Sequence, residues 1–90
     1  MDELAKLPGL GPKSAAMLER AGIDTQSQLR ELGSVNAYLK VRNAGAVSLN
    51  LLWALEGALS GQRWHDVALL HRTSLLMALE TADQTSMRLL

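Results

Sequence analysis

Gly9 and Gly11 flank Leu10, and Pro12, Lys13 and Ser14 follow at once. Residues of these types at this spacing can hold a phosphate. Two glycines let the chain take positive φ in a tight turn, so that backbone N–H groups point outward at the start of a helix. Pro12 suits the first helical turn, where its missing N–H is not needed. The helix dipole adds about half a positive charge at that end. Lys13 and Ser14 add a charged and a neutral donor, completing an anion-binding nest. The stretch LPGLGPKSAAMLERAGI, residues 7–23, thus predicts a helix-hairpin-helix turn, with Ala15 or Ala16 letting the helices approach. The alternative is a turn that only packs two helices, with Leu10 plugging the core. Lys40 and Arg42 extend the candidate nucleic-acid set of Gly9, Gly11, Lys13 and Ser14 if the fold brings them near; otherwise they are solvated charges.

Other chemistry is poorly served. GLGPKS lacks the Gly before Lys and the four-residue spacing of a P-loop, and Ser14 stands where a dinucleotide fingerprint needs Gly. His65 and His71 are six residues apart without a further ligand at metal-site spacing, so no metal is expected. The chain has no Cys, which excludes disulfides and thiolate zinc sites. No nucleophile–base pair is readable; Ser14, Ser34, Ser48 and Ser60 read as helix caps. The chain is expected to be neither an enzyme nor a cofactor carrier.

The elements positioning these residues read as helical throughout. Apolar residues recur at helical spacing, and no long stretch alternates with period two. A short helix over Asp2–Lys6 is followed by the Gly9–Gly11 turn. Helices are predicted from Pro12 to about Ala21, closed by Gly22; from Asp24 or Thr25 through Leu32, closed by Gly33; and from Ser34 to about Arg42, closed by Asn43–Gly45. Leu49–Leu59 is apolar almost all round, which predicts a buried central helix or part of an oligomer interface. A last helix is predicted over Asp66–Ala82, with a frayed tail after Asp83 in which Met87, Leu89 and Leu90 dock only if a partner offers a groove. The expectation is one all-α domain over residues 1–90, with five helices and one helix-hairpin-helix unit.

Composition sharpens the functional choice. Nine Lys and Arg balance nine Asp and Glu, while 48% of the 90 residues are hydrophobic. The zero net charge disfavours binding driven by phosphate neutralisation, because that affinity comes from Lys and Arg displacing counterions. The apolar content excludes a disordered chain. The longest apolar run, Leu51–Leu55, is far shorter than the roughly 20 residues of a membrane span. Asp2 and Glu3 occupy the place of a signal peptide's basic region, so a cytoplasmic location is expected. A domain this small covers its apolar surface poorly, which points to a partner surface. The candidates are Leu52, Trp53, Leu55, Trp64 and Leu76, and a homodimer with its seam on the fourth or last helix is expected. Trp53 is expected in the core of the fourth helix. Trp64 either brackets that helix or stands as an exposed interface anchor.

The pieces LGPKS, Ala21–Ile23, LRELGSVNAYL and SLNLLWALEGAL, in this order, resemble the C-terminal domain of the TfoX/Sxy family of competence regulators over about Leu4–Glu80. The resemblance implies a bacterial regulator of late competence genes, without catalytic residues, acting at promoters with an activator of the cyclic-AMP receptor type. Family members often carry a separate N-terminal domain without counterpart in this sequence, so a free-standing C-terminal module or an excised fragment is expected. The segment HDVALLHRTS lacks the Pro that the family pattern places at the start of the last helix. The functional expectation is a non-enzymatic regulatory module acting mainly by protein docking to the transcription machinery; the alternative is weak, sequence-independent contact with the DNA backbone through the turn.

Overall fold

Leu18 and Ile23 show how the sequence shapes the first corner. In the computed structural model, which describes residues 4–7, 9–45 and 47–88 and side chains through Gln84, helix α1 (Pro12–Arg20) ends in a left-handed Gly22 at φ 88°. The Gly22 N–H donates to the Glu19 carbonyl at 3.0 Å and the Ile23 N–H to the Leu18 carbonyl at 2.9 Å. These two bonds form a Schellman motif, and the apolar contact that accompanies it is the pair Leu18–Ile23, both buried. Before α1 lies a single 3-10 turn, Leu4–Lys6; Asp2, Glu3 and Pro8 lie outside the described residues.

Helix α2 (Gln26–Ala44) opens on Thr25. Its hydroxyl accepts from the Gln28 N–H at 3.2 Å, while the Gln28 side chain accepts from the Thr25 N–H at 3.1 Å. This capping box satisfies two amide groups that the first turn would leave unpaired. Gly33, at φ 80° and ψ 166°, divides α2 into two arms at the residue where the sequence predicts one helix to close and the next to begin. Ser34 does not cap the second arm with its side chain. Its buried hydroxyl instead donates to Glu56 Oε1 of the next helix at 2.7 Å.

Helix α3 (Leu49–Ser60) is the core element the sequence predicts. It buries Leu51, Leu52, Trp53, Leu55 and Gly57, and packs against α2 on one side and α4 (Trp64–Leu70) on the other. Ser48 takes the N-cap position without a side-chain hydrogen bond, and the Ser60 hydroxyl donates to the Glu56 carbonyl one turn back at 2.6 Å. Ser14 lies inside the first turn of α1. Of the serines expected to cap, then, none among Ser14, Ser34, Ser48 and Ser60 does so through its hydroxyl.

The end of the chain departs most from expectation. The predicted helix Asp66–Ala82 is two helices, α4 and α5 (Arg72–Arg88), parted at His71 with φ −119° and ψ 6°. The reason lies in what each must cover. Val67 of α4 is buried in the α3–α4 contact, whereas Leu75 and Leu79 of α5 join the core where α5 packs against α2. One straight helix does not reach both faces. Helix α5 continues past Asp83 to Arg88, and Asp83 is tied to α2 through Arg42 at 2.6 Å. Leu89 and Leu90, and the side chain of Met87, lie outside the described residues. The fold is all-α, with five helices and no strand among the described residues.

Candidate functional site

The Gly9–Gly11 turn is built by short backbone bonds. The Leu7 N–H donates to the Leu4 carbonyl and the Leu10 N–H to the Leu7 carbonyl, both at 3.0 Å, which rolls the chain into a tight corner. Leu4, Leu7 and Leu10 are buried beneath it, so the reading of Leu10 as a core plug holds. Gly9 takes φ 89°, a conformation in which a side chain is strained. Gly11 is the extended N-cap of α1, with Pro12 in the first turn. Gly9, Gly11 and Lys13 are exposed and Ser14 is half-buried. Gly11 has no side chain to cap the helix, so the Lys13 and Ser14 amides open α1 at the positive end of its dipole. Among the described residues, the element that precedes the turn, where a helix-hairpin-helix has its first helix, is the 3-10 turn Leu4–Lys6.

Trp64 stands next to this turn, a neighbour the sequence does not suggest. A groove of about 380 Å³ is lined by Gly9, Ala54, Ala58 and Gly61 and closed by Arg63, Trp64 and His65. A second hollow shares Gly9, Ala54 and Trp64 and adds Ser14, Met17 and Asn50. The Trp64 ring stacks on His65 with centroids 3.6 Å apart, and 43% of the residue remains exposed. Thus Gly9 and Ser14 from the phosphate-binding candidate and Trp64 from the interface candidate come together in one cleft. No Asp or Glu lines either hollow.

The groove depends on small residues of α3. Ala54, Gly57, Ala58 and Gly61 recur at positions i, i+3, i+4 and i+7, which places them on one helix face. Gly61 closes α3 in the left-handed conformation at φ 74°, and the Gln62 N–H donates to the Gly57 carbonyl at 2.9 Å, folding the chain back so that Trp64 follows at once. Sequence reasoning did not find this stripe. The signal was present in Gly57, a glycine inside an otherwise apolar helix, where alanine would be favoured by roughly 1 kcal/mol unless packing forbids it.

The remaining candidates fall elsewhere. Lys40 is exposed on α2 but lines neither hollow. Arg42 pairs with Asp83 at 2.6 Å and, like Lys40, lines neither hollow with the turn. Leu52, Trp53 and Leu55 are 0, 5 and 0% exposed. They are already covered by the chain's own helices, which corrects their reading as interface residues. Leu76 lies half-buried on α5. Among the described residues no group of His, Asp or Glu is placed to hold a metal ion, and no helix is long and apolar enough to cross a membrane.

Comparison with known proteins agrees with this architecture. A crystal structure of an uncharacterized protein from Listeria monocytogenes superposes with a TM-score of 0.74 and 33% sequence identity, covering 89% of this chain and 92% of that one. No curated protein matches the chain. The family model described as the TfoX C-terminal domain matches residues 1–79, from the first turn to the middle of α5. With four of its helices and half of the fifth inside that match, the chain belongs to the TfoX C-terminal domain family.

Proposed function

We propose that this domain is a non-enzymatic, cytoplasmic regulatory module that docks onto a protein of the transcription machinery, an activator of the cyclic-AMP receptor type being the partner that the resemblance to competence regulators implies. The observation that carries this reading is Trp64, 43% exposed beside an apolar groove on an otherwise charge-neutral domain. Tryptophan in such a setting is the residue type that most often dominates a protein interface, because it buries a large rigid surface at little entropic cost. The test is a binding assay with the activator alone, with duplex DNA alone, and with both. Retention of the activator by the wild-type domain, weakened at least about tenfold by Trp64→Ala, is the expected result. A domain that retains no activator, with or without DNA, overturns the reading.

A second reading is supported by the exposure of Gly9, Gly11 and Lys13 at the start of α1. In it the turn contacts the DNA backbone without regard to sequence, and the bound partner sets the site. Such binding weakens steeply as salt rises, because phosphate contacts displace counterions. Lys13→Ala then lowers DNA retention and flattens the salt dependence by about one charge. Absence of a shift with duplex or branched DNA at low salt refutes this second reading and leaves the first standing.

A further inference from the structure

Five large hydrophobic residues are exposed among the described residues, and three of them lie within nine positions: Leu69 at 83%, Leu70 at 69% and Met77 at 64%. Scattered exposed apolar residues are normal on a monomer, but three this exposed on two successive helices point to a contact surface. Leu69 and Leu70 close α4 and Met77 lies in the second turn of α5, all apart from the Trp64 groove, whose lining includes none of them. The half-buried Leu76 sits beside Met77.

The charges around this surface say what covers it. Arg72 opens α5 and Glu80 lies eight residues on, with Leu76 midway between them. Eight residues of helix rise about 12 Å and bring the two charges, with Leu76, along one side of the helix. Arg72 and Glu80 are both exposed, and neither has an ion-pair partner among the described residues. A stripe that reads basic, apolar, acidic is complementary to its own reverse. Laid antiparallel on a copy of itself, it sets each Arg against a Glu; laid parallel, it sets like charges together. A two-fold axis produces the antiparallel case, in which every contact is made twice.

We propose that a second copy of this chain covers this surface, through antiparallel pairing of the two α5 helices about a two-fold axis at Leu76 and Met77. Arg72 of each chain then faces the partner's Glu80, and Leu69 and Leu70 extend the apolar seam past the charged pair. Helix α3, whose Leu51, Leu52, Trp53 and Leu55 are buried in the chain's own core, takes no part. This pairing is independent of the docking reading, because it uses a different face.

Sedimentation equilibrium and light scattering over a concentration series test it. The wild-type chain is expected to form a dimer of twice 9.8 kDa. Arg72→Glu and Glu80→Arg each weaken the dimer about tenfold or more, since each change places like charges together at both ends of the seam. The combination of the two reversals restores it. Leu70→Asp with Met77→Asp yields a monomer; these side chains are exposed in the single chain, so helical content by circular dichroism is retained. A wild-type monomer at every concentration overturns the proposal. So does a dimer that single reversals leave unchanged, or a double reversal that dimerises no better than the single ones.

Discussion

Gly57 lies so close to Gln62 that a Cβ built on it would stand 2.7 Å from the Gln62 carbonyl oxygen and 3.4 Å from the Trp64 amide nitrogen. Both neighbours are backbone, so neither moves aside as a flexible side chain would. Helix propensity alone predicts that Gly57→Ala stabilises α3 by roughly 1 kcal/mol. The close approach reverses the sign. Overpacking of this kind costs about 1–3 kcal/mol, and the expected net effect is a loss of about 1–2 kcal/mol. In a domain of this size that lowers Tm by roughly 5–15 °C, measurable by thermal denaturation. Because the strain falls on the segment leading into Trp64, the same variant is expected to weaken partner binding. An unchanged or raised Tm contradicts the packing argument.

The two tryptophans are expected to separate stability from recognition. Trp53 is 5% exposed within the core, and Trp53→Ala should cost about 3–5 kcal/mol, enough to unfold much of a marginal domain. Trp64 is 43% exposed at the groove, and its truncation removes far less buried surface. Trp64→Ala is expected to cost about 1 kcal/mol or less in urea denaturation while abolishing most partner binding. Fluorescence reports the same division: quenching by iodide should act on Trp64 and spare Trp53. Equal quenching of both refutes the assigned burial.

Arg42 and Asp83 join α2 to the last turns of α5 at 2.6 Å, with 36% and 41% of the side chains exposed. That exposure screens the pair, so its coupling should be modest, about 0.2–1 kcal/mol in a double-mutant cycle, and should shrink in high salt. Its visible effect is expected to be local. Asp83→Asn should speed hydrogen exchange in the last turns of α5 while leaving α3 amides protected. A coupling above about 2 kcal/mol, or uniform loss of protection, would show that the pair holds the whole fold.

Much of the architecture is legible in the residues. Gly22 and Gly61 end their helices in the left-handed conformation, Thr25 and Gln28 start another with reciprocal hydrogen bonds, and Gly33 breaks α2 where the pattern breaks. These are local devices, settled by a residue's own φ, ψ and nearest amides. The apolar block Leu49–Leu59 likewise declares a buried helix, since it offers water almost no polar face. The family, too, is written in the order of these segments.

What the sequence left open are matters of which face meets which. The periodicity of residues 66–82 is that of one amphipathic helix, and only the need to bury Val67 with α3 and Leu79 with α2 bends the chain at His71. Apolar character does not tell a core side chain from an exposed one: Leu52 and Leu69 are alike in composition, yet one is 0% and the other 83% exposed. Nor does spacing along the chain reveal that Gly9 and Trp64, 55 positions apart, line one groove, or that Arg42 pairs with Asp83. Hydrogen bonds at caps and turns act within a few residues and are readable in order. Burial and ion pairing depend on contacts between distant segments, and only the packed tertiary structure decides them.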